Sequence, residues 1–348
     1  MSRAVRLAAH SDVATSLALC SDHELAELVA AGRPLGSGIG GRSVLLDVAD
    51  TPVFVKRVPL TDAERLRENV RYTANLFQLP PFCQYGIGGP GFGAWRELAV
   101  HIMTTNWVVA GQFGGFPLMY HWRVLPDTVQ PLPEELADVE RAVAYWGGSP
   151  QVRQRIEALR TASASVALFL EYIPHNLHDW LGSRFESEGV CSRVERGLEA
   201  GVSFMNARGL LHFDAHFENI LTDGRQLYFA DYGLALSSRF RLSREEADFF
   251  ERHRTYDRSY TRTYLVNWLV TASCGSGREE REALVRGYAG GERPDGIPSE
   301  VASILTRHAP LAAVMADFNR RIQRESRQTA YPWRELARLG QSSSTLSA

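Results

Sequence analysis

Apolar residues recur at helical spacing in long stretches at both ends of the chain and in short β-branched runs between them. Residues 11–31 carry Leu17, Leu25, Leu28 and Val29 near one face, with Ser11 or Asp12 as a cap, and predict one amphipathic helix. The runs 44–48 and 53–58, joined at Asp50-Thr51, have the pattern of a strand hairpin. Residues 62–77 are charged and helical in pattern. Residues 80–93, with Gly86, Gly88, Gly89, Gly91 and Gly93, predict a loop. A helix follows over about 94–109, then a strand over 116–124, a linker over 126–133 and two polar helices over 134–146 and 150–162. The run 167–173 is continuously apolar apart from Glu171 and Tyr172 and predicts a buried strand.

Helices dominate the second half. A short one opens at His178-Asp179-Trp180-Leu181. Residues 190–209 place Val194, Leu198, Val202 and Met205 on one side. Thr222-Asp223-Gly224 reads as a hairpin turn before a short strand over 227–230. An acidic-capped helix is predicted over 242–253. Between Arg252 and Tyr264, basic and aromatic residues alternate. Tyr256, Tyr260 and Tyr264 are four apart, so they are expected to pack inward and not to form a binding patch. Helices over 276–292 and 298–337 are interrupted by Gly290-Gly291 and Pro294, and the polar tail 341–348 is expected to be disordered. No internal repeat is visible.

Composition narrows the class without naming a function. The chain has 348 residues, 45% hydrophobic and 22% charged, with a net charge of −2. That length buries one large core or two lobes, and that charge gives no reason to expect nucleic acid or an anionic membrane as partner. Cys20, Cys83, Cys191 and Cys274 are far apart, which argues against a disulfide framework or a zinc site. Arg3 and Arg6 are followed by His10 and Asp12 and not by an apolar run, so no signal peptide is expected. With no run long enough for a membrane span, a cytoplasmic location is expected.

The candidate chemistry lies in three places. Gly36-Ser37-Gly38-Ile39-Gly40-Gly41 precedes a strand hairpin and not a helix, which disfavours a dinucleotide site and favours a loop laid over phosphates. Lys56 sits inside the second strand of that hairpin. His212-Phe213-Asp214 is followed by Asn219, and Asp231-Tyr232-Gly233 follows the short strand, so Asn219 and Asp231 flank a hairpin. Phosphoryl transfer needs oxygen ligands for magnesium and a carboxylate to orient the attacking hydroxyl.

These motifs resemble the protein-kinase-like superfamily. His212-x-Asp214-x4-Asn219 is similar to its catalytic loop, Asp231-Tyr232-Gly233 to its metal-binding Asp-Phe-Gly, and Lys56 to its phosphate-contacting strand lysine. The resemblance covers about residues 35–235. It implies an α+β, two-lobed fold: a small antiparallel β-rich lobe over 1–172 with a helical insertion at about 126–162, and a helical lobe over 173–340. It implies ATP and Mg2+ as cofactors. The nucleotide would be held by Gly36, Ser37, Gly38, Gly40, Gly41 and Lys56, and adenine by the backbone at Glu171 and Ile173. Asn219 and Asp231 would hold the metal, and Asp214 would orient the acceptor hydroxyl. Glu97 is the expected partner of Lys56, with Glu64 and Glu68 as rivals.

The acceptor is expected to be a hydroxyl of a protein, as for a serine/threonine protein kinase. The alternative is a small molecule: His216, two after Asp214, is similar to the aminoglycoside and choline phosphotransferase branch, and no Ala-Pro-Glu follows Gly233. A further alternative is a nucleotide-binding scaffold without turnover.

Overall fold

Strand residues that branch at Cβ and short left-handed turns shape the first part of the chain. The computed structural model describes residues 2–38, 41–86, 88–275 and 277–342. The protein is α+β, and its chain divides into two units: residues 1–174 with 228–247, and residues 175–227 with 248–348. The sequence placed 228–247 with the second part; it groups with the first.

The chain opens with helices α1 (Arg3–Ala18) and α2 (Asp22–Ala31), where one helix over 11–31 was expected. The break has a local cause. Ser21 accepts from the Glu24 N–H while the Glu24 carboxylate accepts from the Ser21 N–H, a capping box that starts a new helix in mid-pattern. Ser2, not Ser11 or Asp12, caps α1.

Strands β1 (Arg33–Gly38), β2 (Gly41–Val48) and β3 (Thr51–Leu60) follow. Ala49 (φ 51°) and Asp50 (φ 56°) form the β2–β3 turn, and Thr51 already belongs to β3. The next helix, α3, covers only Asp62–Arg65, and Leu66 leaves it with extended backbone. The expected helix over 62–77 is therefore cut short: past Leu66 the chain makes a single 3-10 turn over Arg67–Asn69 and then irregular turns, with Glu64 buried.

Helix α4 (Ala94–Val109) occupies the expected span, and β4 is Met119–Pro126. The insertion forms α5 (Glu134–Ala137), α6 (Val139–Tyr145) and α7 (Pro150–Arg160). Leu136, Val143, Trp146, Val152 and Ile156 share one apolar cluster with Phe77, Leu79 and Phe92. Strand β5 (Ala164–Glu171) completes an antiparallel sheet of order β1-β2-β3-β5-β4. Every residue of β5 is buried, which is why its sequence shows no alternation. Trp95 and Leu98 of α4 pack with Val58, Leu60, Val166 and Leu168 of the sheet.

The second unit begins with β6 (His175–Asn176), α8 (Leu177–Gly182), α9 (Val190–Ala207), β7 (Leu210–Leu211) and β8 (Ile220–Thr222), with β6 antiparallel to β8. Strands β9 (Leu227–Phe229) and β10 (Leu236–Ser237), which from residue 228 belong to the first unit, and α10 (Arg244–Arg252) come next in the chain. Helices α11 (Tyr256–Cys274), α12 (Arg278–Ala289), α13 (Ser299–Arg324) and α14 (Trp333–Ser342) end the described chain. Val194, Leu198, Val202 and Met205 of α9 are buried, as their spacing predicted. The expected helix over 298–337 is two, separated at 325–332, where Tyr331 is buried and Pro332 disfavours continuing the helix. Of the expected polar tail, 343–348 lie outside the described residues. Among the described residues no helix is long and apolar enough to cross a membrane.

Candidate active site

In the first unit, β3, α4 and the turn after β9 bring three expected residues together. Lys56 Nζ lies 2.7 Å from Glu97 Oε1 and 2.9 Å from Asp231 Oδ1. Lys56 and Glu97 are buried, while the Asp231 side chain is 40% exposed. Burial works against the Lys56 ammonium, but Asp231 and Glu97 outweigh it and hold its pKa above the usual range. Burial pushes Glu97 up to about 7; Lys56 opposes this shift and Asp231 adds to it. One ammonium thus faces two carboxylates, a cluster with a surplus negative charge and one open edge at Asp231.

The backbone around Asp231 is set by its neighbours. Asp231 takes φ 60°, a left-handed conformation costly for a residue with a Cβ. Its Oδ1 accepts from the Gly233 N–H at 3.3 Å. Next to it, Tyr232 is buried, donates its hydroxyl to Phe229 O at 2.5 Å and stacks edge-on against His101 of α4. Of the rival partners for Lys56, Glu68 is exposed and Glu64 is engaged at the start of α4.

The glycine stretch is part of a hairpin and not a free loop. Gly36, Ser37 and Gly38 belong to β1 and pair with Ser43, Arg42 and Gly41 of β2. Ile39 and Gly40 lie outside the described residues. At Gly41 (φ 115°) an added Cβ would come within 2.0 Å of Arg57 O, so glycine there is required by the approach of β3. At Gly36 an added Cβ would meet nothing within 4 Å, so this position opens onto space.

At the end of β5 the two expected adenine contacts differ. The Glu171 N–H donates to Leu118 O at 2.7 Å, so it is already used. Its buried carboxylate accepts from Arg6 Nε and Nη2, both at 2.7 Å, and from the Leu118 N–H at 3.0 Å. Arg6 also donates to Gly114 O and Phe116 O. Sequence reasoning missed Arg6, since its partner is 165 positions away. Ile173, 8% exposed, makes no backbone hydrogen bond among the described residues.

The second unit carries the other expected residues. Phe213 has φ 64° and is fully buried; its N–H and that of His212 donate to Asp257 of α11 at 2.8 and 2.6 Å. Burial pushes Asp257 up to about 6, against those two N–H groups. Asp257 was also missed: its one carboxylate is hidden among the Arg and Tyr residues of 252–264. Of the three tyrosines expected to pack inward, Tyr256 is buried and stacks on Tyr260, while Tyr260 and Tyr264 are only partly buried.

Asp214 follows this fixed turn and is partly exposed. Asn219 Nδ2 donates to Asp214 O at 3.0 Å and to Asp214 Oδ2 at 3.1 Å. With its amide so oriented, Asn219 keeps Oδ1 as an oxygen ligand. His216 Nδ1 lies 2.8 Å from Glu218 Oε2, which also accepts from the Tyr264 hydroxyl at 3.0 Å, and His216 Nε2 lies 3.8 Å from Asp214 Oδ2.

Among the described residues, no group of three or more His, Cys, Asp or Glu side chains forms a metal cage. Asn219 in the second unit and Asp231 in the first each carry a partly exposed hard oxygen donor of the type magnesium takes. No protein-family model matches the sequence, and no curated protein matches it.

Proposed function

We propose that this protein is an ATP-dependent phosphotransferase of the protein-kinase-like superfamily, two-lobed and cytoplasmic, whose acceptor is a serine or threonine hydroxyl of a protein. One observation carries this reading: a strand lysine, buried and charged, is bridged to a helix carboxylate and to the aspartate of Asp231-Tyr232-Gly233. A structural ion pair needs one carboxylate. A second one, half open to solvent, is what a phosphate- and cation-binding edge requires.

In this reading Lys56 holds the nucleotide phosphates and Glu97 fixes the lysine. The backbone of Ile173, which makes no hydrogen bond among the described residues, receives adenine, and Arg6 with Glu171 stiffens the strand end leading to it. Asn219 and Asp231 would hold magnesium, which when bound neutralises phosphate charge. Asp214, fixed by Asn219 and by the Asp257-held turn, orients the acceptor hydroxyl. The acceptor oxygen bonds to the γ-phosphorus, the bond to the β–γ bridging oxygen breaks, ADP leaves, and the hydroxyl proton passes to Asp214.

A second reading keeps the chemistry and makes the acceptor a small hydroxyl compound. It is favoured by the short run between Gly233 and α10, which begins at Arg244 and leaves no long segment for docking a peptide. Calorimetric titration with Mg-ATP tests nucleotide binding: wild type should bind, and Asp231→Ala should bind more weakly. Unchanged affinity in Asp231→Ala would remove Asp231 from the site. Labelled ATP offered with a panel of proteins and small hydroxyl compounds then separates the acceptor classes.

A further inference from the structure

Helix α4 cannot cap itself. Its N-cap is Gly93 (φ 121°), which has no side chain to accept the first N–H groups. Glu64, thirty residues upstream, supplies the acceptor: its Oε1 takes the Ala94 N–H at 2.8 Å. Its backbone oxygen takes the Trp95 indole N–H at 2.8 Å. The fit is close, since a Cβ on Gly93 would lie 2.6 Å from Glu64 Oε1.

Glu64 is in turn held by the insertion. Its Oε2 accepts from the Thr61 N–H at 3.0 Å, from the Thr61 hydroxyl at 2.6 Å and from Arg155 Nη1 of α7 at 2.9 Å. Glu64 and Arg155 are 2% and 3% exposed. The Arg155 guanidinium also lies 5.0 Å from the Phe77 ring centroid. Phe77 shares an apolar cluster with Phe92, which leads into Gly93, and with Val152 and Ile156 of α7. A charge bolt and an apolar seat thus converge on the residue before α4. Glu97, the partner of Lys56, is one turn further along.

We propose that the helical insertion 134–160 is a built-in clamp on α4: Arg155, through Glu64, holds the first turn in the position from which Glu97 reaches Lys56. The insertion is then a resident activator and not a substrate-facing ornament. Arg155 and Glu64 are positioning residues, because neither touches Lys56. Their effect on turnover rests on the phosphotransferase reading; the clamp itself does not.

The test uses Arg155→Met, which removes the charge and keeps the stem, with Arg155→Lys as the conservative variant. Arg153→Met is the control, since Arg153 lies on the same helix in an exposed pair with Glu140. Amide hydrogen exchange is followed at 94–97, and kcat and KM for ATP are measured on the same samples. In Arg155→Met, exchange at 94–97 should speed up by about tenfold, the scale of one lost cap hydrogen bond. Its kcat should fall about ten- to a hundredfold with a smaller change in KM, as expected for a misplaced catalytic group. Arg155→Lys should recover part of both effects, and Arg153→Met should match wild type. If Arg155→Met does not fold, Glu64→Gln, which keeps the hydrogen-bond acceptor and loses the ion pair, should show the same exchange change. Unchanged protection at 94–97 in whichever variant folds overturns the clamp. A wild type that turns over no ATP overturns the phosphotransferase reading instead, and exchange still decides the clamp.

Discussion

Removing Lys56 tests whether it holds the first half of the site together. At 2.7 Å and an effective dielectric near 20, its attraction to Glu97 is about 6 kcal/mol before desolvation. Desolvation takes back much of that, and truncating one partner of a buried pair commonly costs about 3–5 kcal/mol. Lys56→Met should fall at the lower end, about 3 kcal/mol, because Glu97 is already pushed up to about 7 and sheds its charge by taking a proton. Glu97→Gln leaves Lys56 paired with Asp231 and removes the surplus negative charge, so it should cost only about 1 kcal/mol. The double variant should lose about 3 kcal/mol and not the additive 4, a coupling of about 1 kcal/mol against the usual scatter of about 0.3–0.5. Urea unfolding at pH 7.5, followed by tryptophan fluorescence, measures all four proteins. Additive losses would refute the pairing, and so would a Glu97→Gln loss as large as that of Lys56→Met.

Asp214→Ala should leave Mg-ATP affinity nearly intact and lower turnover by about 10²–10⁴; equal turnover in both proteins would sink its role as base. His253 is buried, stacked between Phe249 and Tyr331, and burial first, then Arg252, pushes it down to about 4. A depressed histidine favours the fold above its ordinary value near 6.5, and this contribution is lost as pH falls towards 4. His253→Phe should therefore remove about 3 kcal/mol of the acid destabilisation between these limits, read as the difference between wild-type and variant unfolding at each pH. Under the proposed function, the protein should be active as synthesised: Ser237, Ser259 and Thr261 are buried and Ser243 accepts the Glu246 N–H, which leaves Ser238 as the exposed hydroxyl to watch. A stoichiometric phosphate between Gly233 and Tyr264 whose removal abolishes activity, seen by mass spectrometry and rates before and after phosphatase, would contradict this.

Local periodicity made α4 legible at both ends, because apolar Ala94, Leu98 and Val108 recur at helical spacing along its buried side and a glycine precedes it. The Lys56–Glu97 pairing was legible from the order of glycine hairpin, strand lysine and helix carboxylate. The direct contact of Lys56 with Asp231 was not, since Asp231 had been assigned to the metal alone. Polar residues that turn inward were the common source of error. Glu64 counts as a surface charge in any helical pattern, yet it caps α4, and the helix expected around it stops at Arg65. Glu171 looked like a strand end ready for adenine, but its partner Arg6 sits in a helix whose start lay outside the expected 11–31 span. Asp257 was overshadowed by its basic neighbours, although a lone carboxylate on an otherwise packed helix face is the signal that reveals it.

Transfer of the terminal phosphoryl group of ATP is the activity proposed for Asp214 and Lys56. Its most direct test is to incubate the purified protein with magnesium and ATP labelled at either the γ- or the α-phosphate, together with the acceptor panel, beside Asp214→Ala. Label should move to an acceptor from the γ-position and not from the α-position, and Asp214→Ala, while still binding Mg-ATP, should transfer almost none. Binding of ATP by wild type with no loss of γ-label, or equal transfer by wild type and Asp214→Ala, would contradict it.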